Sequence, residues 1–175
     1  MSLIEIPYHK LHVKPHDLFE NQWLILTCGD LSKNDFNGMT IAWGSLGTMW
    51  HRPFVQVVVR PTRYTFEFMN KYDQFTVCAF PDSQKKALQI MGTTSGRDGD
   101  KMEVAGLTPV ASTKIASPTY EEAELVFECR KIYFDDLTPD GFVDPTIDKN
   151  YPHKDYHGIY FGEVLTIRGC EKYLA

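Results

Sequence analysis

The stretch that decides the fold reads Asn37-Gly-Met-Thr-Ile-Ala-Trp-Gly-Ser-Leu-Gly-Thr-Met-Trp50, followed directly by His51-Arg-Pro-Phe-Val-Gln-Val-Val-Val-Arg-Pro-Thr-Arg-Tyr-Thr65. Its β-branched and aromatic residues predict two strands, Met39 to Leu46 and Phe54 to Val59, joined by a short connection. Both predicted strands end in groups suited to a phosphorylated ligand. The first ends in glycine-rich backbone, and the second ends in arginine and hydroxyl side chains. Because arginine binds phosphate oxygens in pairs while hydroxyl and amide groups fill the remaining lone pairs, these ends predict a site for a flat heteroaromatic ring and a phosphate.

Four motifs carry a family resemblance. They are Asn37-x-Met-Thr-Ile-x-Trp-Gly44, Arg60-Pro-x-Arg-Tyr-Thr65, Ser95-Gly-Arg-Asp-Gly-Asp-Lys101 and Asp155-Tyr-His-Gly-Ile-Tyr-Phe-Gly-Glu163. In this order they resemble the flavin reductase-like (flavoredoxin-type) FMN-binding split-barrel family, and the similarity runs from about Asp17 to Glu163. The resemblance implies a mainly β fold, an antiparallel, Greek-key-like split β-barrel with a few short helices. It also implies a homodimer with FMN near the subunit interface.

Length and composition restrict the number of domains, the classes of partner and the cellular location. The 175 residues predict a single domain over 1–175, with an N-terminal arm over 1–16 and a long surface loop over 136–155. The formal charge of −5 argues against a nucleic-acid or anionic-membrane partner. No apolar run approaches the roughly 20 residues that span a bilayer. We expect a cytoplasmic protein, because the start lacks a signal-peptide layout and the four cysteines stand far apart, three of them in apolar runs.

Hydrophobic periodicity predicts the other elements. Strands are expected at Trp23 to Gly29, Phe75 to Phe80, Ala123 to Asp135 and Gly158 to Gly169, and helices at Arg63 to Tyr72, Ser83 to Met91 with Ser83 as the cap, and Asp100 to Val104. Asp35-Phe-Asn-Gly38 predicts a hairpin turn. Without β-α alternation, a total of five or six strands favours an antiparallel barrel over a doubly wound sheet.

Histidines of the N-terminal arm give no metal prediction. His9, His12 and His16 would align only on a helix, which Pro15 interrupts. We therefore predict no metal site.

Ring-binding candidates follow from the first motif. Flavin sites are mostly apolar with a few placed polar groups. Trp43 and Trp50 offer flat surface, and a plain β-strand is the alternative interpretation of the segment around Thr40. The polar and backbone candidates are Asn37, Thr40, Ser45, Leu46 and Gly47.

Phosphate-binding candidates follow from the second and third motifs. The predicted helix start adds free amides to the cluster of Arg60, Arg63, Tyr64 and Thr65. One phosphate site and no second nucleotide motif favour FMN over FAD. The resemblance alone adds Ser95, Arg97 and Lys101, whose alternative is an ordinary loop with a salt bridge.

The resemblance also implies a role for a late-chain histidine. Split-barrel flavin reductases often place one near the nicotinamide, which makes His157 the catalytic candidate for steering or charge stabilisation. A structural histidine is the alternative. His51 and Arg52 are further candidates for the same pocket.

The implied reaction is reduction of bound FMN by NAD(P)H, with electrons passed to a flavin, another acceptor or a redox partner protein. Two alternatives stay open. One is a flavoredoxin-type electron carrier without nicotinamide activity of its own, and the other is a barrel without flavin that serves as a binding module. The four motifs favour the flavin reductase branch over the pyridoxamine-phosphate oxidase branch.

Overall fold

A seven-strand path of antiparallel pairs forms the body of the molecule. The computed structural model describes residues 2–175. Within them the strands are β1 Ile4–Glu5, β2 Leu24–Asp30, β3 Asp35–Ile41, β4 Gly44–Met49, β5 Arg52–Val59, β6 Gln74–Ala79, β7 Pro109–Val110, β8 Thr119–Tyr120, β9 Leu125–Asp136 and β10 Gly158–Gly169. The main sheet has the order β3-β2-β6-β9-β10-β5-β4, with β1 paired to β10, and β7 pairs with β8. The predicted mainly β, antiparallel architecture is confirmed.

Short helices connect these strands. The α-helices are α1 Pro15–Asp17, α2 Tyr64–Lys71, α3 Lys85–Thr93 and α4 Lys101–Ala105, and a π-helix, Leu18–Gln22, continues α1. The 3₁₀ turns are Tyr8–Lys10, Leu31–Lys33, Asp82–Gln84, Pro139–Gly141, Pro145–Asn150 and Glu171–Tyr173. No helix among residues 2–175 is long and apolar enough to cross a membrane.

The central strands are apolar because both of their faces are covered. Every residue of β2 is buried. Leu26 belongs to the core cluster on one side of the sheet, and Ile25 belongs to the second cluster, which includes Leu88 and Met91 of α3. The buried thiols expected from the apolar runs are confirmed for Cys28, Cys78 and Cys129.

The predicted single strand Met39 to Leu46 is wrong, because the chain turns a corner at Ala42 and Trp43. It leaves β3 at one edge of the sheet order and enters β4 at the other edge. Glycine permits this corner, since a Cβ on Gly44 would lie 2.5 Å from the Gln56 carbonyl oxygen and 2.6 Å from Phe19 Cε1. The corner brings the two edges together at the place where the site forms.

The predicted hairpin turn at Asn37-Gly38 is also wrong. Both residues lie inside β3, and the turn precedes them at Leu31–Lys33 and at Asn34, whose φ is +52°. Glycine stands at position 38 for packing, because a Cβ there would lie 2.8 Å from Thr27 Oγ1. The glycine of this Asn-Gly pair is therefore required by a tertiary contact and does not mark a turn.

Smaller differences concern caps and loops. Ser83 does not cap α3, which follows the 3₁₀ turn Asp82–Gln84 without a side-chain cap, whereas Asp100 does cap α4 through the amides of Met102 and Glu103. The predicted surface loop over 136–155 contains two 3₁₀ turns and buries Tyr151, which is 2% exposed. The sheet has more strands than predicted. Hydrophobic periodicity does not detect two-residue strands, and it does not show that the corner divides one predicted strand into β3 and β4.

Candidate functional site

Three adjoining cavities form a groove along the end of β3. The first, the cationic cleft, has a volume of about 100 Å³ and is lined by Met39, Thr62, Arg63, Tyr64, Thr65, Thr93, Thr94, Ser95 and Lys101. The second, the central cavity, measures about 200 Å³ and is lined by Met39, Thr40, Ile41, Ala42, Trp43, Val58, Arg60 and His157. The third, the outer cavity, measures about 730 Å³ and is lined by Pro15, His16, Phe19, Glu20, Ala42, Trp43, Gly44, Ser45 and Leu46. Neighbouring cavities share Met39, Ala42 and Trp43, so the groove is continuous.

The cationic cleft holds two positive side chains that no carboxylate balances. Lys101 is 3% exposed, and its Nζ donates to the carbonyl oxygens of Met91 at 3.3 Å and Thr94 at 3.2 Å. Arg63 donates from Nη2 to the Gly92 carbonyl oxygen at 2.5 Å. Neither cation forms an ion pair with any of residues 2–175. Because a charge withdrawn from water is costly without a partner, the buried Lys101 and the half-buried Arg63 make this cleft chemically suited to an anion.

Burial lowers the pKa of both Lys101 and Arg63. The pKa of Lys101 is lowered to about 8, mainly by burial and secondly by the charge of Arg63. Burial also lowers the pKa of Arg63, with a further contribution from Arg60. The protein alone therefore disfavours the two positive charges, and a bound anion would favour them.

Hydroxyl and amide groups surround these cations. Thr65 Oγ1 accepts a hydrogen bond from Asn37 Nδ2 at 2.7 Å, which leaves its own hydrogen available. Helix α2 begins at Tyr64 without a side-chain cap, and the amide of Phe66 donates to the Arg63 carbonyl oxygen at 2.9 Å. The amides of Tyr64 and Thr65, in the first turn, have no intrahelical acceptor. Such a set of donors matches the oxygens of a phosphate.

The loop of the third motif is placed by a close backbone contact. A Cβ on Gly96 would lie 2.2 Å from Asn37 Oδ1, so only glycine fits there. This contact brings Ser95 into the cleft wall. Arg97 lies outside that wall, where it stacks over the Tyr64 ring at 4.7 Å and pairs with Glu67.

Arg60 differs from Arg63 in having its charge balanced. In the central cavity its Nη1 donates to both carboxylate oxygens of Asp155, at 3.0 and 2.9 Å, and its Nη2 donates to the Asn150 carbonyl oxygen at 2.8 Å. The hydrogen bonds from Arg60 lower the pKa of Asp155. The structure thus separates the two arginines of the second motif into different cavities and different electrostatic roles.

His157 stands beside Arg60 in the central cavity. It is 8% exposed, its Nδ1 lies 2.8 Å from the Tyr151 hydroxyl, and its ring centroid lies 5.3 Å from that of Trp43. Burial first, and then the charge of Arg60, lower the pKa of His157 to about 4, although Asp155 opposes the shift. The imidazole is therefore neutral near pH 7, and it is suited to hydrogen bonding rather than to charge stabilisation.

Residues 17–174 match the family model described as the flavin reductase like domain. The chain belongs to this family. The predicted membership is confirmed, and the match covers the corner, the cationic cleft, the central cavity and the lining of the outer cavity except Pro15 and His16. The comparison with curated proteins gives no match.

Solved structures agree with the flavin reductase-like fold. An FMN-binding domain of a flavin reductases-like enzyme from Shewanella baltica has a TM-score of 0.69 at 16% identity, covering 96% of this chain and 77% of that one. A flavoredoxin from Methanosarcina acetivorans has a TM-score of 0.66 at 21% identity over 88% and 71%. Nitrilotriacetate monooxygenase component B from Bacillus cereus has a TM-score of 0.67 at 17% identity over 94% and 74%. At these identities the likeness supports the fold alone, which confirms the split-barrel prediction.

Several site candidates of this flavin reductase-like chain lie at the edge of the groove or outside it. The hydroxyl groups of Thr40 and Ser45 already donate, to the Leu88 carbonyl oxygen and to Gln56 Oε1. Leu46 lines the outer cavity, whereas Gly47 pairs with Phe54 farther along β4 and lines none of the three cavities.

The turn from β4 to β5 is also outside the groove. Trp50 packs near Tyr133 and Phe161, and Arg52 pairs with Glu163. His51 is exposed in the same turn. These three residues therefore do not share the pocket of His157.

Sequence reasoning missed several residues that line the groove of this family member or contact its lining residues. Thr93 and Thr94 directly precede the third motif, so extending that motif by two residues would have found them. Asp155 opens the fourth motif and was not paired with Arg60. Nothing in the local sequence marks Tyr151 or Phe19, because their positions depend on how a loop and the N-terminal segment pack.

Proposed function

We propose that this flavin reductase-like chain binds FMN, with the phosphate held in the cationic cleft and the ring in the central cavity. The observation that carries the proposal is the pair of cations formed by buried Lys101 and half-buried Arg63, which form no ion pair with any of residues 2–175. A phosphate with about −1.5 to −2 charges would balance them. The hydroxyl groups and helix amides of the cleft fit its oxygens. FAD would add a second nucleotide, for which the sequence holds no motif.

Bound FMN would supply the redox chemistry, accepting and passing on electrons at its ring. The protein's groups would bind and orient it. Arg63 and Lys101 would fix one end of the molecule, and Trp43 would flank the flat ring. Neutral His157 would offer a hydrogen bond beside it.

We further propose that the chain is an oxidoreductase in which NAD(P)H reduces the flavin and electrons pass to another flavin or acceptor. The outer cavity supports a second bound molecule, since it adjoins the central cavity and is large enough for a ring system. A Thermus thermophilus FMN-binding protein of similar fold is described with bound p-hydroxybenzaldehyde, so a small aromatic molecule is compatible with this fold.

The experiment is a visible spectrum of the purified protein with FMN, before and after anaerobic NADH or NADPH. We expect one FMN per chain and bleaching by at least one nicotinamide. The second candidate, a flavoredoxin-type electron carrier, is favoured by the likeness to flavoredoxin structures. It predicts a flavin that dithionite bleaches and nicotinamides do not. A protein that takes up no FMN would contradict both.

The pH dependence of FMN binding should report Lys101. Its pKa of about 8 means that the amine is charged at pH 7 and mostly neutral at pH 9 in the ligand-free protein. FMN binding at pH 9 must then draw in a proton, so the Kd should be about tenfold higher at pH 9 than at pH 7. Fluorescence titrations at both pH values measure this. Lys101→Met should bind more weakly at pH 7 and show almost no change between the two values, and a pH-dependent Lys101→Met variant would contradict the assignment.

We propose a homodimer with the flavin site near its interface. The support is a partly exposed aromatic patch formed by Trp50, Phe54, Tyr133 and Phe161, with ring centroids of its contacting pairs 5.2 to 6.5 Å apart. Trp50 is 55% exposed and Tyr133 is 43% exposed. Strand β4 runs from the outer cavity to this patch, so a second subunit on the patch would lie near the groove.

Placing a charge in the aromatic patch should dissociate the dimer. We expect Trp50→Glu to raise the dimer dissociation constant about thirtyfold or more, because a buried tryptophan commonly dominates an interface. Sedimentation velocity over a dilution series measures the change. Val143→Glu is the matched control, since Val143 is fully exposed on the loop over 136–155. A monomeric wild-type protein, or equal effects of both variants, would disprove this interface.

A further inference from the structure

Tyr151 is held in one orientation against His157. Its ring stacks on Phe142, with centroids 5.9 Å apart and planes 10° apart, and the Arg60 guanidinium lies 4.9 Å from its centroid. The ring meets His157 edge-on at 5.5 Å. A ring fixed by three neighbours keeps its hydroxyl group 2.8 Å from Nδ1 of His157.

The available hydrogen-bond acceptors decide whether Nδ1 or Nε2 of His157 carries the imidazole proton. If Nδ1 of His157 donated, the Tyr151 hydroxyl hydrogen would need another acceptor, and the described part of the chain provides none. Tyr151 is 2% exposed, so an unpaired hydroxyl hydrogen would be costly. The hydroxyl therefore donates to Nδ1, and the imidazole hydrogen resides on Nε2.

Burial keeps both His157 and Tyr151 neutral. Burial and Arg60 lower the pKa of His157 to about 4, against the opposing charge of Asp155. Burial raises the pKa of Tyr151. Between pH 6 and pH 9 neither group changes its charge, and Nε2 remains a donor of a residue that lines the central cavity.

We propose that Tyr151 is a positioning residue, which fixes His157 as a neutral Nε2–H donor to a carbonyl oxygen of a planar ring bound beside Trp43. This proposal rests on the proposed function, because flavin and nicotinamide are the rings assigned to the groove. Both carry carbonyl oxygens, so the shared chemistry is a neutral N–H···O=C hydrogen bond. The hydroxyl of Tyr151 acts through His157 and does not touch the ligand.

The first test is ¹⁵N NMR of the histidines in the ligand-free protein. We expect His157 to be protonated at Nε2 and unprotonated at Nδ1 throughout pH 6 to 9, and Tyr151→Phe to shift both nitrogens toward averaged values. Tyr156→Phe is the matched control, because Tyr156 packs 5.0 Å from Tyr151 but bonds to Asp148. Protonation at Nδ1 in the wild type, or no response to Tyr151→Phe, would overturn the proposal. The result is independent of flavin binding, so it separates this proposal from the proposed function.

The second test identifies the ring. Tyr151→Phe should weaken one ligand about three- to tenfold, as expected for one neutral hydrogen bond, whereas Tyr156→Phe should not. A higher Kd for riboflavin and FMN assigns the carbonyl to the flavin. A higher apparent Kd for NADH or NADPH in flavin reduction, with unchanged FMN affinity, assigns it to the nicotinamide. If neither constant changes, Tyr151 does not position a ligand-binding group.

Discussion

Replacing Arg63 and Lys101 together by methionine should weaken FMN binding by about two to four orders of magnitude. A hydrogen bond to a charged group contributes about 1.5–3 kcal/mol, so each cation contributes about one to two orders. Methionine retains an apolar stem in the cleft wall. It also removes the unpaired charges, so the fold should remain intact or become slightly more stable. Isothermal titration with FMN measures the loss.

Two controls separate the phosphate from the rest of the ligand. Riboflavin lacks the phosphate, and it should bind the double variant and the wild type with similar affinity. Arg97→Met removes a nearby arginine that already pairs with Glu67, and it should weaken FMN much less than Arg63→Met alone. If riboflavin lost as much affinity as FMN, the two cations would belong to the ring site instead.

Replacing Gly29 by alanine should lower the free energy of unfolding by about 2–5 kcal/mol, the combined cost of backbone strain and overpacking. Its φ of +138° disfavours any side chain, and a Cβ would lie 2.3 Å from the Asp35 carbonyl oxygen and 2.4 Å from Phe36 Cα. These are backbone atoms of the neighbouring strand, which cannot move without shifting β3. Urea denaturation followed by circular dichroism gives the change.

Gly99 provides a matched control for this substitution. Its φ is +147°, close to that of Gly29, but among residues 2–175 no atom beyond its two chain neighbours lies within 4 Å of a Cβ placed there. Gly99→Ala should therefore cost only the backbone strain, about 1–3 kcal/mol, partly offset by a stiffer unfolded chain. Equal losses in the two variants would show that the contact with β3 is unimportant.

The parts of this molecule that local sequence determines were predicted well. Strand β10 has the predicted bounds, Gly158–Gly169, and α2 falls within its predicted range. Motifs in the sequence identified Arg63 and Lys101 as candidates. The sequence could not predict that neither would pair with a carboxylate of residues 2–175. Whether a cation has a carboxylate partner depends on which loop packs over it. Asp155, which pairs with Arg60, lies 95 residues later in the sequence.

Tertiary contacts explain the failures. The Asn-Gly pair of β3 carries a turn signal, but its glycine meets Thr27 and Tyr120. Likewise, the pattern from Met39 to Leu46 is continuous in sequence, although the chain bends at Ala42 and Trp43. Periodicity describes which residues are buried, and it does not report the close approach of Phe19 and Gln56 to Gly44, which directly follows the bend.

The corner at Ala42 and Trp43 has a consequence for the order in which the molecule assembles. Strand β3 pairs with β2 in the sheet and β4 pairs with β5, so the two sides of the corner belong to opposite ends of the sheet. The groove exists only after both ends have docked, which requires contacts far apart in the chain and is slow. We therefore expect the binding surface to form late in folding. A ligand bound in the groove should then slow unfolding without accelerating folding.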